Sequence, residues 1–75
     1  METRTVFLTQ VPSELYKILK FENLAASGGE AKYLIADGFV TVNAEIETRK
    51  RKKIFPGDII EISGVRLEIA AEESG

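Results

Sequence analysis

One stretch, residues 27–43, S-G-G-E-A-K-Y-L-I-A-D-G-F-V-T-V-N, constrains this chain more than any other. Its hydrophobic period switches from helical to extended within a few residues, and a glycine marks the switch. Ser27 stands where an N-cap would, and Glu30 follows three residues later. At that spacing each side chain can satisfy a backbone N–H that the first helical turn leaves free. Ala31, Leu34 and Ile35 then recur at i, i+3 and i+4, which predicts a helix from about Gly28 to Asp37 with one apolar stripe. Gly38 stops it, since glycine takes positive φ just past a helix end without steric cost. Phe39, Val40, Thr41 and Val42 read as a strand. The free N–H groups at the helix start also make a candidate anion site. Gly28 and Gly29 would let a phosphate or backbone approach Ser27 closely, although capping alone accounts for the serine.

The rest of the chain supplies partners for this unit. Residues 3–8 predict a short edge strand. Val11-Pro12-Ser13-Glu14 reads as the opening of a first helix with proline in its first turn. Leu15, Ile18 and Leu19 give that helix its stripe, with Lys17 and Lys20 pointing outward and Phe21 and Leu24 closing one end of a small core. Two short helices with a tight connection pack as an antiparallel or crossed pair. Val40, Val42, Ala44 and Ile46 recur with a period of two, which argues one buried sheet face, and Asn43 can mark a turn. Pro56-Gly57-Asp58 is a turn, Ile59, Ile60 and Ile62 a strand, Ser63-Gly64 a tight turn, and Val65, Leu67 and Ile69 a returning strand. Residues 70–75 are polar and acidic and are expected to fray.

Composition narrows the function classes. A chain of 75 residues is one small domain with a modest core, about residues 5–70. At 44% hydrophobic and 29% charged residues it is expected to be globular rather than disordered. No apolar run is long enough to cross a bilayer and no secretory signal is visible, so a cytoplasmic location is expected. The absence of cysteine fits a reducing compartment. With no cysteine and no histidine, Cys/His zinc sites and histidine-based triads are excluded. No carboxylates form a motif with a nucleophile or metal partner, and Asp58 reads as a turn residue bonding the backbone. No catalysis, metal or cofactor is expected.

The net charge of −2 hides a polarised distribution. Half of the ten basic residues are consecutive, Arg49, Lys50, Arg51, Lys52 and Lys53, whereas Arg66 is the one base among five acids from Asp58 onward. Five adjacent cations repel one another and add nothing to a core, while a polyanion would offset the repulsion and release counterions. The structural reading of the run is a solvated loop. Lys32 lies off the apolar stripe and either extends the basic surface or is an ordinary solvated lysine. Tyr16, Tyr33, Phe39 and Phe55 are aromatic candidates for base stacking; most read as core or boundary residues, and Tyr33, next to Lys32, is the best placed to be exposed.

The ordered series Ala26-Ser27, Glu30-Ala31-Lys32, Leu34-Ile35, Gly38, Val40, Val42, Asn43 and Pro56-Gly57-Asp58 resembles the S4 RNA-binding domain family over roughly residues 13–62. The S-G-G-E-A-K form is similar to small stand-alone bacterial S4-like proteins. The resemblance implies an α+β fold with the αL motif, in which two short N-terminal helices pack on a small curved antiparallel sheet. It further implies that RNA lies on a basic surface made by the second helix and a sheet loop. Carried over by position, that surface comprises Ser27, Gly28, Gly29, Lys32, Asn43 and Arg49, Lys50, Arg51, Lys52 and Lys53, with Tyr33 added as a stacking residue. The chain departs from the family pattern at Gly28 and Gly29, where basic residues are frequent, at Ala44, where glycine is common, and at the missing Arg-Leu-Asp opening of the first helix. Larger relatives attach such a module to pseudouridine synthases or tyrosyl-tRNA synthetases. A chain of this length is expected to be a monomeric binding module without its own reaction, membrane contact or small-molecule substrate. Its expected partner is structured ribosomal or transfer RNA, touched mainly at phosphates and 2′-OH groups. The alternative is a protein-interaction module that docks an acidic partner through the basic loop, or a basic one through its acidic C-terminal part.

Overall fold

Alternating apolar residues build a sheet, and two short amphipathic helices cover one of its faces. The computed structural model describes residues 1–72. In chain order its elements are β1 (Glu2–Leu8), β2 (Ser13–Glu14), α1 (Leu15–Phe21), α2 (Gly28–Ala36), β3 (Thr41–Val42), β4 (Glu45–Ile46), β5 (Lys53–Ile54), β6 (Ile59–Ile62) and β7 (Val65–Ala71). The main sheet has the order β1-β7-β6-β3-β4, and β2 pairs with β5 as a separate antiparallel ribbon. The architecture is α+β, but the sheet is mixed rather than antiparallel: β1 runs parallel to β7, from Glu2↔Val65 to Leu8↔Ala71. Parallel neighbours need a long crossover, which here is the rest of the domain, and no local pattern announces such a pairing. A strand therefore precedes the helices. The same pairing holds Ala70 and Ala71 in β7, against the expectation of a frayed end there; residues 73–75 lie outside the described residues.

Helix α1 buries Leu15, Ile18 and Leu19 as expected but starts later than the proline motif implies. Ser13 and Glu14 are not its first turn; they pair with Ile54 and Lys53. Phe21 does not close the core either. It is 82% exposed, while Leu24 packs at the core margin. At 3.6 residues per turn Phe21 falls roughly 110° from the middle of the Leu15/Ile18/Leu19 stripe, so the helix turns it outward. The chain leaves α1 through Asn23 at φ 59°, with Leu24 N–H donating to Leu19 C=O at 3.0 Å. This is a Schellman closure with asparagine in the left-handed position.

Helix α2 begins as read: Ser27 Oγ accepts the Glu30 N–H at 3.1 Å. It ends at Gly38, φ 82°, where Phe39 N–H donates to Leu34 C=O and Gly38 N–H to Ile35 C=O, both at 3.1 Å. Ala31 and Ile35 are fully buried and Leu34 is half-buried. After β3 the chain reverses at Asn43 and Ala44, φ 52° and 69°, into β4, the backbone of a two-residue hairpin turn. The alternation of residues 40–46 is therefore two short strands, not one. Val40 and Val42 are buried, whereas Ala44 and Ile46 are exposed. Asp58 bonds its own turn, its Oδ2 accepting Phe55 N–H at 2.8 Å.

Candidate nucleic-acid interface

The basic run leads from β4 into the first residue of β5, and its backbone is pinned at several points. Lys52 C=O accepts Leu15 N–H at 2.9 Å, and Lys50 C=O accepts Tyr16 N–H at 3.2 Å. Helix α1 has no side-chain N-cap, so these loop carbonyls satisfy donors that a helix start leaves free. Lys53 pairs with Glu14 across the small ribbon, and the fully buried Ile54 anchors the end of the run. The loop is thus a shaped element seated on α1. The expected neighbour was α2, which joins through one side chain, Tyr16. Lys32 Nζ lies 4.7 Å from the centroid of the Tyr16 ring and Lys17 Nζ 5.9 Å. Gly28 packs beside the same ring: a Cβ there would sit 3.8 Å from Tyr16 Cε2. Tyr16 is accordingly the hinge of a surface made of α1, the start of α2 and the basic loop.

Two of the five consecutive cations are compensated. Glu47 accepts Arg49 N–H at 2.9 Å and its Nε–H at 3.0 Å through Oε2, and a terminal guanidinium N–H at 3.1 Å through Oε1. These bonds hold the Glu47 carboxyl at about 2, with burial opposing them and the charges of Arg49 and Lys52 helping. Arg51 Nε lies 3.7 Å from Glu14, which Lys17 approaches at 3.3 Å. Lys20, Lys32, Lys50, Lys52 and Lys53 form no ion pair among the described residues. The uncompensated charge is carried entirely by lysines, compact and mobile cations suited to phosphate contacts without base reading.

The remaining candidates divide. Ser27 has its Oγ engaged as a cap, and Gly29 lies open beside it. Tyr33 is 61% exposed, and the neighbouring Asp37 raises its pKa. Nothing joins it to the loop. Asn43 is committed to the fold: its Oδ1 accepts Ile59 N–H at 2.9 Å and its Nδ2 donates to Asp58 Oδ1 at 3.1 Å. Lys17 and Lys20 point outward as expected but were not expected in the surface, and Tyr16 was expected only as a stacking candidate. Their helical phase, opposite the α1 stripe, was the available signal. No group of three or more His, Cys, Asp or Glu side chains among the described residues is placed to hold a metal ion, and no described helix is long and apolar enough to cross a membrane.

The fold, two short helices on a small mixed sheet, is matched by known proteins. The S4 domain family profile matches residues 8–70, and the chain belongs to that family. It is 41% identical over 58 residues to the putative RNA-binding protein YbcJ of Escherichia coli, covering 77% of this chain and 83% of that one. It is 38% identical over 50 residues to the probable ribosome maturation protein RlbA of Bacillus subtilis, covering 67% and 70%. The solution structure of E. coli YbcJ, described as revealing an αL motif involved in RNA-binding, superposes with a TM-score of 0.66 at 37% identity. The superposition covers 95% of this chain and 89% of that one.

Proposed function

We propose that the chain is a non-catalytic RNA-binding module. It holds structured RNA, ribosomal or transfer, on the surface formed by the basic loop, α1 and the start of α2. The observation that carries this reading is the pinning of the loop onto α1 through Lys50 and Lys52, with Tyr16 joining Lys32 to it. One face then gathers lysines that no carboxylate among the described residues compensates. Family membership and the RNA-related names of YbcJ and RlbA support the same reading. Contacts fall mainly on phosphates, so binding is salt-dependent and weakly sequence-selective.

Gel-shift titration at several salt concentrations tests it. Three or four phosphate contacts give a log–log salt slope of about −2 to −4, at roughly 0.7 to 0.9 per contact. Changing Arg49, Lys50, Arg51, Lys52 and Lys53 together to Gln flattens the slope and weakens all RNAs alike, with circular dichroism as the folding control. Unchanged affinity and slope in that variant would refute the reading and favour a protein partner for the loop.

A further inference from the structure

We propose that the groove between α1 and the start of α2 receives one unpaired nucleotide of the bound RNA, its base stacked on Phe21 and its phosphates held by Lys17 and Lys20. The inference rests on the RNA reading above and names what that surface selects. The groove is open, about 430 Å³, and lined by Gln10, Tyr16, Lys17, Lys20, Phe21 and Gly28. Phe21 is the most exposed aromatic side chain of the described residues, at 82%. The turn through Asn23 carries the chain away from it, so no element of the fold covers the ring.

Three features point to a nucleotide rather than to an apolar protein side chain. Lys17 and Lys20 stand four residues and one residue before Phe21 on the outward side of α1, both exposed, and Lys20 has no ion-pair partner among the described residues. Gly28 contributes no side chain to the opposite wall, so the groove stays open beside the Tyr16 ring. Gln10 offers an amide, donor and acceptor together, to the edge of a base. An aromatic face with cations around it complements a base and its phosphate. In a paired helix both faces of every base are covered by neighbours, whereas an unpaired base has a π-face to give. The groove therefore selects bulges, loops or single-stranded junctions, while the basic loop holds the flanking backbone.

The test compares a fully paired RNA duplex with the same duplex carrying one unpaired adenosine. The parent protein binds the bulged RNA more tightly by about five- to hundred-fold, the worth of one base–aromatic stack. Phe21→Leu keeps the fold, because the side chain is in solvent, and abolishes that preference while leaving the duplex affinity and salt slope unchanged. Phe21→Trp keeps the preference. The chain has no tryptophan, so the indole emission of this variant reports the contact directly, and only the bulged RNA changes it. Equal affinity of the parent for the two RNAs overturns the proposal and leaves the RNA reading standing, as does a preference that survives Phe21→Leu. Failure of the parent to bind either RNA overturns both. Self-association of the parent that Phe21→Leu abolishes, with both RNA affinities intact, would overturn the proposal in favour of an apolar protein contact for the ring.

Discussion

Asn43→Ala should destabilise the domain by about 2–3 kcal/mol and leave RNA binding intact. The magnitude follows from what the side chain does. Its amide accepts Ile59 N–H at 2.9 Å and donates to Asp58 at 3.1 Å, tying the β3–β4 turn to the start of β6. Both bonds are exposed, so each is worth about 0.5–1 kcal/mol. Asn43 also sits at φ 52°, where alanine costs about 1 kcal/mol or more and asparagine is tolerated. The neighbouring Ala44, at φ 69°, already carries that strain, so the variant places two alanines in succession in the left-handed region. For a domain of this size the loss lowers the thermal midpoint by roughly 10–20 °C. Thermal melts followed by circular dichroism measure it. Asn43→Gly relieves the backbone but removes the amide, so the difference between the two variants isolates the strain. Below both transitions, gel shifts with the parent and Asn43→Ala should coincide. An unchanged midpoint together with weakened RNA binding would refute this reasoning and return Asn43 to the interface, where the family resemblance puts it.

Ser27→Ala should cost about 1 kcal/mol, the usual worth of an N-cap whose oxygen accepts a first-turn N–H, and a chemical denaturation midpoint that does not move would disprove the cap. Glu47→Gln should narrow in its effect as the medium is acidified. The folded carboxyl titrates near 2 against an ordinary 4.5, so its stabilisation is complete above 4.5 and fades as pH falls toward 2. Melts of parent and variant should therefore converge over that window. At neutral pH the same change releases Arg49 and should steepen the RNA salt slope by up to one contact.

What could be read from the chain was what is local. Ser27 with Glu30, Gly38 before Phe39, Asn43 and Pro56-Gly57-Asp58 are each short-range devices found where they were expected, although of the reciprocal cap only the half in which Ser27 accepts Glu30 N–H is formed among the described residues. Several of the failures are long-range, and the others are local matters of phase and turn. Ser13 and Glu14 have an adequate helix-opening pattern, but their backbone is taken by β5, forty residues away. Val40, Val42, Ala44 and Ile46 alternate correctly for one strand, yet positive φ at Asn43 and Ala44 reverses the chain between them. The parallel seat of β1 on β7 left no trace, since parallel and antiparallel edges share one alternation. The candidate surface was half legible. Consecutive cations are visible in any sequence, but their seat on α1 depends on two main-chain carbonyls, which carry no sequence signal. Phe21 was misread because hydrophobicity was counted without phase.

Segregation of charge explains how a chain of net charge −2 can present a surface to a polyanion. Glu61 and Glu68 alternate with the buried Ile60, Ile62, Leu67 and Ile69, so they stand on the face of the sheet that the helices do not cover. Arg66 stands opposite Glu61 in register, and its Nε lies 3.4 Å from Glu68 on its own strand. On the helical side, the acids nearest the cations are already spent: Glu14 serves Lys17 and Arg51, Glu47 serves Arg49, and Glu22 serves Arg4. The shortest dimension of the domain is 20 Å. Charges on the far face thus lie about two Debye lengths away at physiological ionic strength, where exposed charges are largely screened from one another. A phosphate approaching α1 senses Lys20, Lys32, Lys50, Lys52 and Lys53 and little of the acidic sheet. The acids instead lower the total charge, which would restrain indiscriminate attraction to nucleic acid at long range while leaving the proposed close contact intact. Making the whole chain basic would strengthen capture but would sacrifice that restraint, and the separation of the two faces removes the need for it.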